Sequence, residues 1–64
     1  MKNTIRKHIA VGLTVDIVLK KDQSTGILTR GTVKRILTKS AQHHRGIKVM
    51  LNDGQVGRVQ QIIE

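Results

Sequence analysis

The hydrophobic residues of this chain occur in short alternating runs, and this spacing constrains the fold more than any other feature. The run TVDIVLK, residues 14–20, places Val15, Ile17 and Leu19 on one face of an extended chain, and IKVML, residues 47–51, repeats the pattern. Alternation with a period of two is typical of a half-buried β-strand. Most of the hydrophobic residues are isoleucine or valine and none is aromatic. Because branched side chains favour pleated sheet, we predict an all-β fold.

Turn signals separate the predicted strands. The segments KKDQSTG and TKSAQHHRG are polar and lack periodicity, which indicates loops. Asp53-Gly54 is a strong hairpin signal and predicts a type I′ turn, which needs a positive φ at both central residues. The expected strands cover roughly residues 14–20, 27–38, 46–52 and 55–60, and a short turn or strand ends the chain. Strands at such short intervals predict a small barrel or rolled sheet.

The stretch RGTVKRILTKS, Arg30 to Ser40, has two interpretations. From Val33 onward its apolar residues have the i, i+3, i+4 spacing of an amphipathic helix, which would display a basic rod suited to a nucleic-acid groove. However, Arg35 stands three residues after Thr32, where a capping box needs glutamate or glutamine. A helix of about ten residues is also too short to be stable without strong tertiary support. A strand with a bulge near Gly31 or Arg35 explains the change of period, and we favour it.

The charge of the chain favours a polyanionic partner. Twelve lysines and arginines against four acids give a net charge of +8, and residues 23–52 contain no acid. Phosphate contacts need cations on one surface, whereas base stacking usually needs aromatic rings, which the chain lacks. We therefore expect contacts to the nucleic-acid backbone or to its shape. The candidate nucleic-acid-binding residues are Arg30, Lys34, Arg35, Lys39, His43, His44, Arg45, Lys48 and Arg58. With pKa values near 6.5, the histidines would strengthen binding as the pH falls toward about 6.

The sequence offers no signature of catalysis or metal binding. The four acids are scattered along the chain, there is no cysteine, and GQVGR lacks the lysine and hydroxyl residue of a phosphate-binding loop. His43 and His44 are adjacent, so a strand would point them to opposite faces, and there is no obvious third ligand. We therefore expect no enzymatic activity, catalytic residue, metal, cofactor or small-molecule substrate.

The chain is long enough for one domain. We expect residues 1–8 to form a flexible basic arm and residues 9–64 to form the barrel. The N-terminal segment is too polar for the apolar region of a signal peptide and too short to span a membrane. We therefore expect a cytoplasmic protein, without membrane contact, that is a monomer or a weak homodimer.

Four segments resemble the YwbE-like family of small uncharacterised bacterial proteins across residues 8–64. They are VDIVLKKDQSTG, LTRGTVKRILT, HRGIKV and DGQVGRVQQII. This resemblance implies no activity. In addition, VDIVL followed by RGTVKRI resembles the KOW pattern of SH3-like barrels, with Gly31, Val33 and Ile36 at its positions. This resemblance implies a small SH3-like barrel of about four to five strands. KOW modules bind RNA or protein.

Two functions remain open from the sequence. The leading hypothesis is a non-enzymatic module that binds RNA or a ribonucleoprotein surface through its basic strand and loop. The alternative is a protein-interaction module whose partner is acidic or adds a strand at an open sheet edge.

Overall fold

The computed structural model describes residues 2–63. Met1, in the predicted arm, and Glu64, at the end of the predicted domain, lie outside the described residues. The strands are β1 (Thr14–Leu19), β2 (Leu28–Ile36), β3 (Lys48–Leu51) and β4 (Val56–Ile62), with 3-10 turns at Arg6–His8 and Lys20–Asp22. The last strand extends two residues past the predicted boundary, so residues 61 and 62 form the strand that was one of the two alternatives. No helix in the described part of the chain is long and apolar enough to cross a membrane.

The described strands form a closed antiparallel barrel. Each strand pairs with the next along the chain, and β4 pairs back with β1. The described part of the molecule measures 27 × 23 × 19 Å. The prediction of a small all-β barrel is confirmed, and closure removes the unpaired edges that a β-rich chain would otherwise expose.

The core is aliphatic, as the alternation predicts. Val15 and Ile17 of β1 and Val49 of β3 are completely buried, whereas Leu19 is half-buried. The buried hydrophobic side chains are Ile9, Val15, Ile17, Val33, Ile47, Val49, Leu51 and Val59. Burial of each larger side chain stabilises the fold by roughly 1.5–3 kcal/mol relative to exposure. Isoleucine, valine and leucine therefore fill the barrel interior without an aromatic ring.

Residues 30–36 of the ambiguous stretch form part of a bulged strand, as predicted, but the strand ends at Ile36 and not at residue 38. Val33 pairs with Leu51 and Ile36 pairs with Val49, but the register shifts between these pairs. Two residues of β2, at positions 34 and 35, consequently oppose Met50 alone. This two-against-one arrangement defines a β-bulge, and it produces the three-residue spacing that imitates a helix.

The hairpin between β3 and β4 is confirmed, but the predicted type I′ turn is wrong. The amide of Gly54 donates to the carbonyl of Leu51 at 2.9 Å, and the amide of Leu51 donates to the carbonyl of Gln55 at 2.8 Å. Gly54 has a φ of +91°. Every residue of 2–63 with a positive φ is a glycine, so Asp53 lacks the positive φ that a type I′ turn needs. The Asp53 carboxylate accepts the Gln55 amide at 3.0 Å and stabilises a three-residue loop with glycine last.

The N-terminal segment lies on the barrel. The carbonyl of Asn3 accepts the amide of Ile47 at 2.9 Å, and the Asn3 side-chain amide donates to the carbonyl of Val59 at 2.8 Å. Further backbone hydrogen bonds join the segment to the loop between β2 and β3. The flexibility predicted for residues 1–8 stays a prediction.

Candidate nucleic-acid interface

The outer surface of β2, β3 and β4 collects cations from all three strands. The bulge turns Lys34 and Arg35 outward together, opposite Met50. Lys48 of β3 is directly opposite Arg58 of β4, on the same outer surface. Neighbouring strands lie about 5 Å apart, so these two like charges repel each other. The surface therefore has an electrostatic preference for an anion.

Hydrogen bonds to the loop before β3 bring a fifth cation to this surface. The Arg58 guanidinium donates to the carbonyl of Gly46 at 3.2 Å, and the Gln60 side-chain amide donates to the carbonyl of Arg45 at 3.2 Å. These bonds place Arg45 on the rim of one depression with Arg58. We call the five cations the basic face: Lys34, Arg35, Arg45, Lys48 and Arg58.

Arg30, another candidate, is engaged in an ion pair. Its Nε donates to Oδ1 of Asp16 at 2.8 Å and its Nη2 donates to Oδ2 at 3.1 Å. The Asp16 side chain is only 8% exposed, against 61% for Arg30. The hydrogen bond from Arg30 lowers the pKa of Asp16 and keeps this carboxylate charged. Arg30 is the one cation of residues 2–63 in a salt bridge, so Asp16 already offsets its charge, whereas the five charges of the basic face have no such partner.

Removal of Arg30 should expose the cost of burying Asp16. We expect Arg30→Met to lower the free energy of unfolding at pH 7, because the buried Asp16 carboxylate loses both hydrogen bonds from the guanidinium. Because the folded pKa of Asp16 is lowered, this contribution is present above the unfolded pKa and is lost as the pH falls through the folded pKa. Urea unfolding from pH 7 to about pH 2.5 should therefore show the difference between the variant and the wild type shrinking.

Arg35→Met is the matched control, since Arg35 has no ion pair in the described residues. It should change the stability little at either pH. A loss from Arg30→Met that stays constant down to acid pH would contradict the role assigned to the ion pair.

Lys39 lies apart from the basic face. It lines a second depression with Arg6 and Lys7 of the N-terminal segment. The Arg6 Nε donates to the carbonyl of Thr38 at 2.8 Å, which fixes this arginine beside the loop. Arg6 and Lys7 were not predicted as neighbours of Lys39, because only the docking of the N-terminal segment brings the three residues together.

The histidine pair borders the basic face. The rings of His43 and His44 stack with centroids 5.0 Å apart, and His43 Nδ1 accepts the amide of Arg45 at 3.2 Å. Burial lowers the pKa of His43, and the nearby charges of Arg58, His44 and Arg45 lower it further. Protonation of this ring therefore begins at a lower pH than the value near 6.5 that we expected. Residues 2–63 contain no group of three or more potential metal ligands.

Comparison with known proteins gives two matches over nearly the whole chain. Residues 2–62 match a family described as uncharacterised conserved protein (DUF2196). The chain is also 64% identical over 63 residues to the uncharacterised protein YwbE of Bacillus subtilis (strain 168), a match that covers 98% of this chain and 97% of that protein. No solved structure matches the chain. Both matches include every strand and loop that contributes to the basic face.

Proposed function

The chain belongs to this YwbE-like family of uncharacterised conserved proteins (DUF2196), and we propose that it is a non-enzymatic, cytoplasmic RNA-binding module. The basic face contacts the phosphate backbone of the RNA. One observation carries the proposal: five cations share one outer surface, and none of them has a salt-bridge partner within residues 2–63. The preference for RNA over DNA rests on the resemblance of the barrel to KOW modules.

The spacing of the cations suits a chain of phosphates. Lys48 and Arg58 face each other across two strands, and Arg35 lies diagonally from Lys48 on the neighbouring strand. An extended row of this kind favours a partner whose negative charges also repeat in a row. A bound phosphate between Lys48 and Arg58 would remove their mutual repulsion, and an arginine can bind it with two parallel hydrogen bonds.

The closed barrel weighs against one form of the alternative function. Strand addition needs an edge with unpaired backbone groups, but each strand in residues 14–62 has a neighbour on both sides. An acidic protein would bind the same basic face as RNA, so an acidic protein and RNA would compete for this face.

The proposal predicts a steep dependence on salt. Fluorescence anisotropy with labelled single-stranded RNA, duplex RNA and duplex DNA should show binding at low salt. If all five cations contact phosphates, log K should fall with log salt at a slope of about −3.5 for a single strand and about −4.5 for B-form DNA. An absence of binding at low salt, or a flat response to salt, would overturn the proposal.

A further inference from the structure

One outward row of the barrel changes from charged to apolar along its length. Lys48 pairs with Arg58, Arg58 pairs with Val18 of β1, and Val18 pairs with Leu28 of β2. Leu28 is 45% exposed and Ile27, next to it, is 58% exposed. These two side chains lie outside the core and continue the basic face.

The apolar end of this row forms part of a depression of about 360 Å³. This volume lies within the range of small-ligand sites, about 300–1,000 Å³. The depression is lined by Val18, Gln23, Gly26, Leu28, Arg45, Arg58 and Gln60. Two aliphatic side chains and two amides therefore adjoin two guanidinium groups of the basic face.

We propose that this depression binds one unpaired nucleobase, an inference that rests on the RNA-binding function proposed above. The faces of Val18 and Leu28 contact the base, while Arg45 and Arg58 bind the phosphates on either side of it. The Gln23 amide can donate and accept hydrogen bonds at the edge of the base. Gln60, whose amide nitrogen donates to the carbonyl of Arg45, offers its amide oxygen as an acceptor. Charge complementarity selects a nucleotide over an apolar peptide, because two of the lining groups are cationic.

The site defines the class of RNA that the protein prefers. A paired base is stacked within a helix and cannot enter a depression on a protein surface, whereas an unpaired base can be turned outward. The preferred ligand is therefore single-stranded RNA or a loop, in contrast to the backbone contact without base contact that the absence of aromatic residues suggests. Aliphatic contacts with the base are weaker than aromatic stacking, so the preference is modest.

The test compares two labelled decamers of equal charge: single-stranded RNA, and a sugar-phosphate chain without bases. We expect the wild-type protein to bind the RNA roughly fivefold more tightly. Leu28→Ser should remove most of this difference by weakening the binding of RNA alone. Val11→Ser is the matched control, because Val11 is an aliphatic residue that is 66% exposed and lies outside the depression.

The outcomes separate this inference from the function on which it rests. Equal binding of the two decamers by the wild type overturns the base site and leaves the phosphate-binding face in place. An equal effect of Leu28→Ser and Val11→Ser on the preference for RNA also overturns it. Failure to bind either decamer at low salt overturns the proposed function itself. Thermal unfolding of both variants verifies that neither change disrupts the barrel.

Discussion

Gly46→Ala should lower the free energy of unfolding by about 3 kcal/mol or more. Gly46 has a φ of +103°, a conformation that L-amino acids with side chains rarely adopt. A Cβ atom at this position would overlap the carbonyl oxygen of Val59 and lie 3.3 Å from the side-chain amide nitrogen of Asn3. Because Val59 is in β4 and completely buried, its backbone cannot move away without disturbing the core.

The size of this effect follows from two separate costs. The left-handed backbone costs a residue with a side chain about 1–2 kcal/mol, and the backbone overlap adds to this, so we expect a total loss of about 3 kcal/mol or more. A domain of this length has a total stability of about 3–9 kcal/mol, so the loss removes much of it. Urea unfolding followed by circular dichroism measures the difference.

Gly54→Ala separates the two costs. Gly54 has a similar φ of +91°, but a Cβ atom there would meet nothing within 4 Å in the described structure. This variant should lose only the backbone cost, about 1–2 kcal/mol. Equal losses in the two variants would show that the approach of Gly46 to Val59 is not the source of the instability.

The sequence predicted those parts of the fold that depend on local periodicity. Alternation identified Val15, Ile17 and Val49 as core residues, because a strand with one face in the barrel must repeat its apolar residues every second position. The broken period after Gly31 located the bulge, since an extra residue shifts the side chains that follow. These features follow from the order of neighbouring residues.

The pairing of distant residues could not be predicted in the same way. Alternation correctly predicted that the Asp16 side chain points away from the core of the barrel. It did not predict that Arg30, on the neighbouring strand, covers the Asp16 carboxylate and shields it from solvent. That contact depends on the register between β1 and β2, which an eight-residue connection does not determine. We likewise predicted that Lys39 joins Lys34 and Arg35, whereas the loop between β2 and β3 carries Lys39 to the N-terminal segment.

Reversal of three charges on the basic face should abolish most RNA binding. The variant Lys34→Glu, Arg35→Glu, Lys48→Glu changes exposed side chains alone, so the barrel should keep its fold. Lys39 is left unchanged because it lies with Arg6 and Lys7. If each lost contact is worth about 1 kcal/mol or more, affinity for single-stranded RNA at about 0.1 M salt should fall at least about a hundredfold. The slope of log K against log salt should flatten from about −3.5 to about −1.4, since two of five contacts remain.

A control with the same net charge decides whether position or total charge matters. Lys2→Glu, Lys7→Glu, Lys21→Glu also replaces three exposed lysines, all outside the basic face. At 0.1 M salt, charges more than about 10 Å from the RNA are largely screened. The control variant should therefore lose affinity for RNA several-fold at most and keep the wild-type slope. If the control loses as much affinity as the first variant, binding follows net charge and the basic face is not the site. A slope that flattens in the first variant alone identifies the cations of β2 and β3 as phosphate contacts, because the slope counts the counterions that each contact releases.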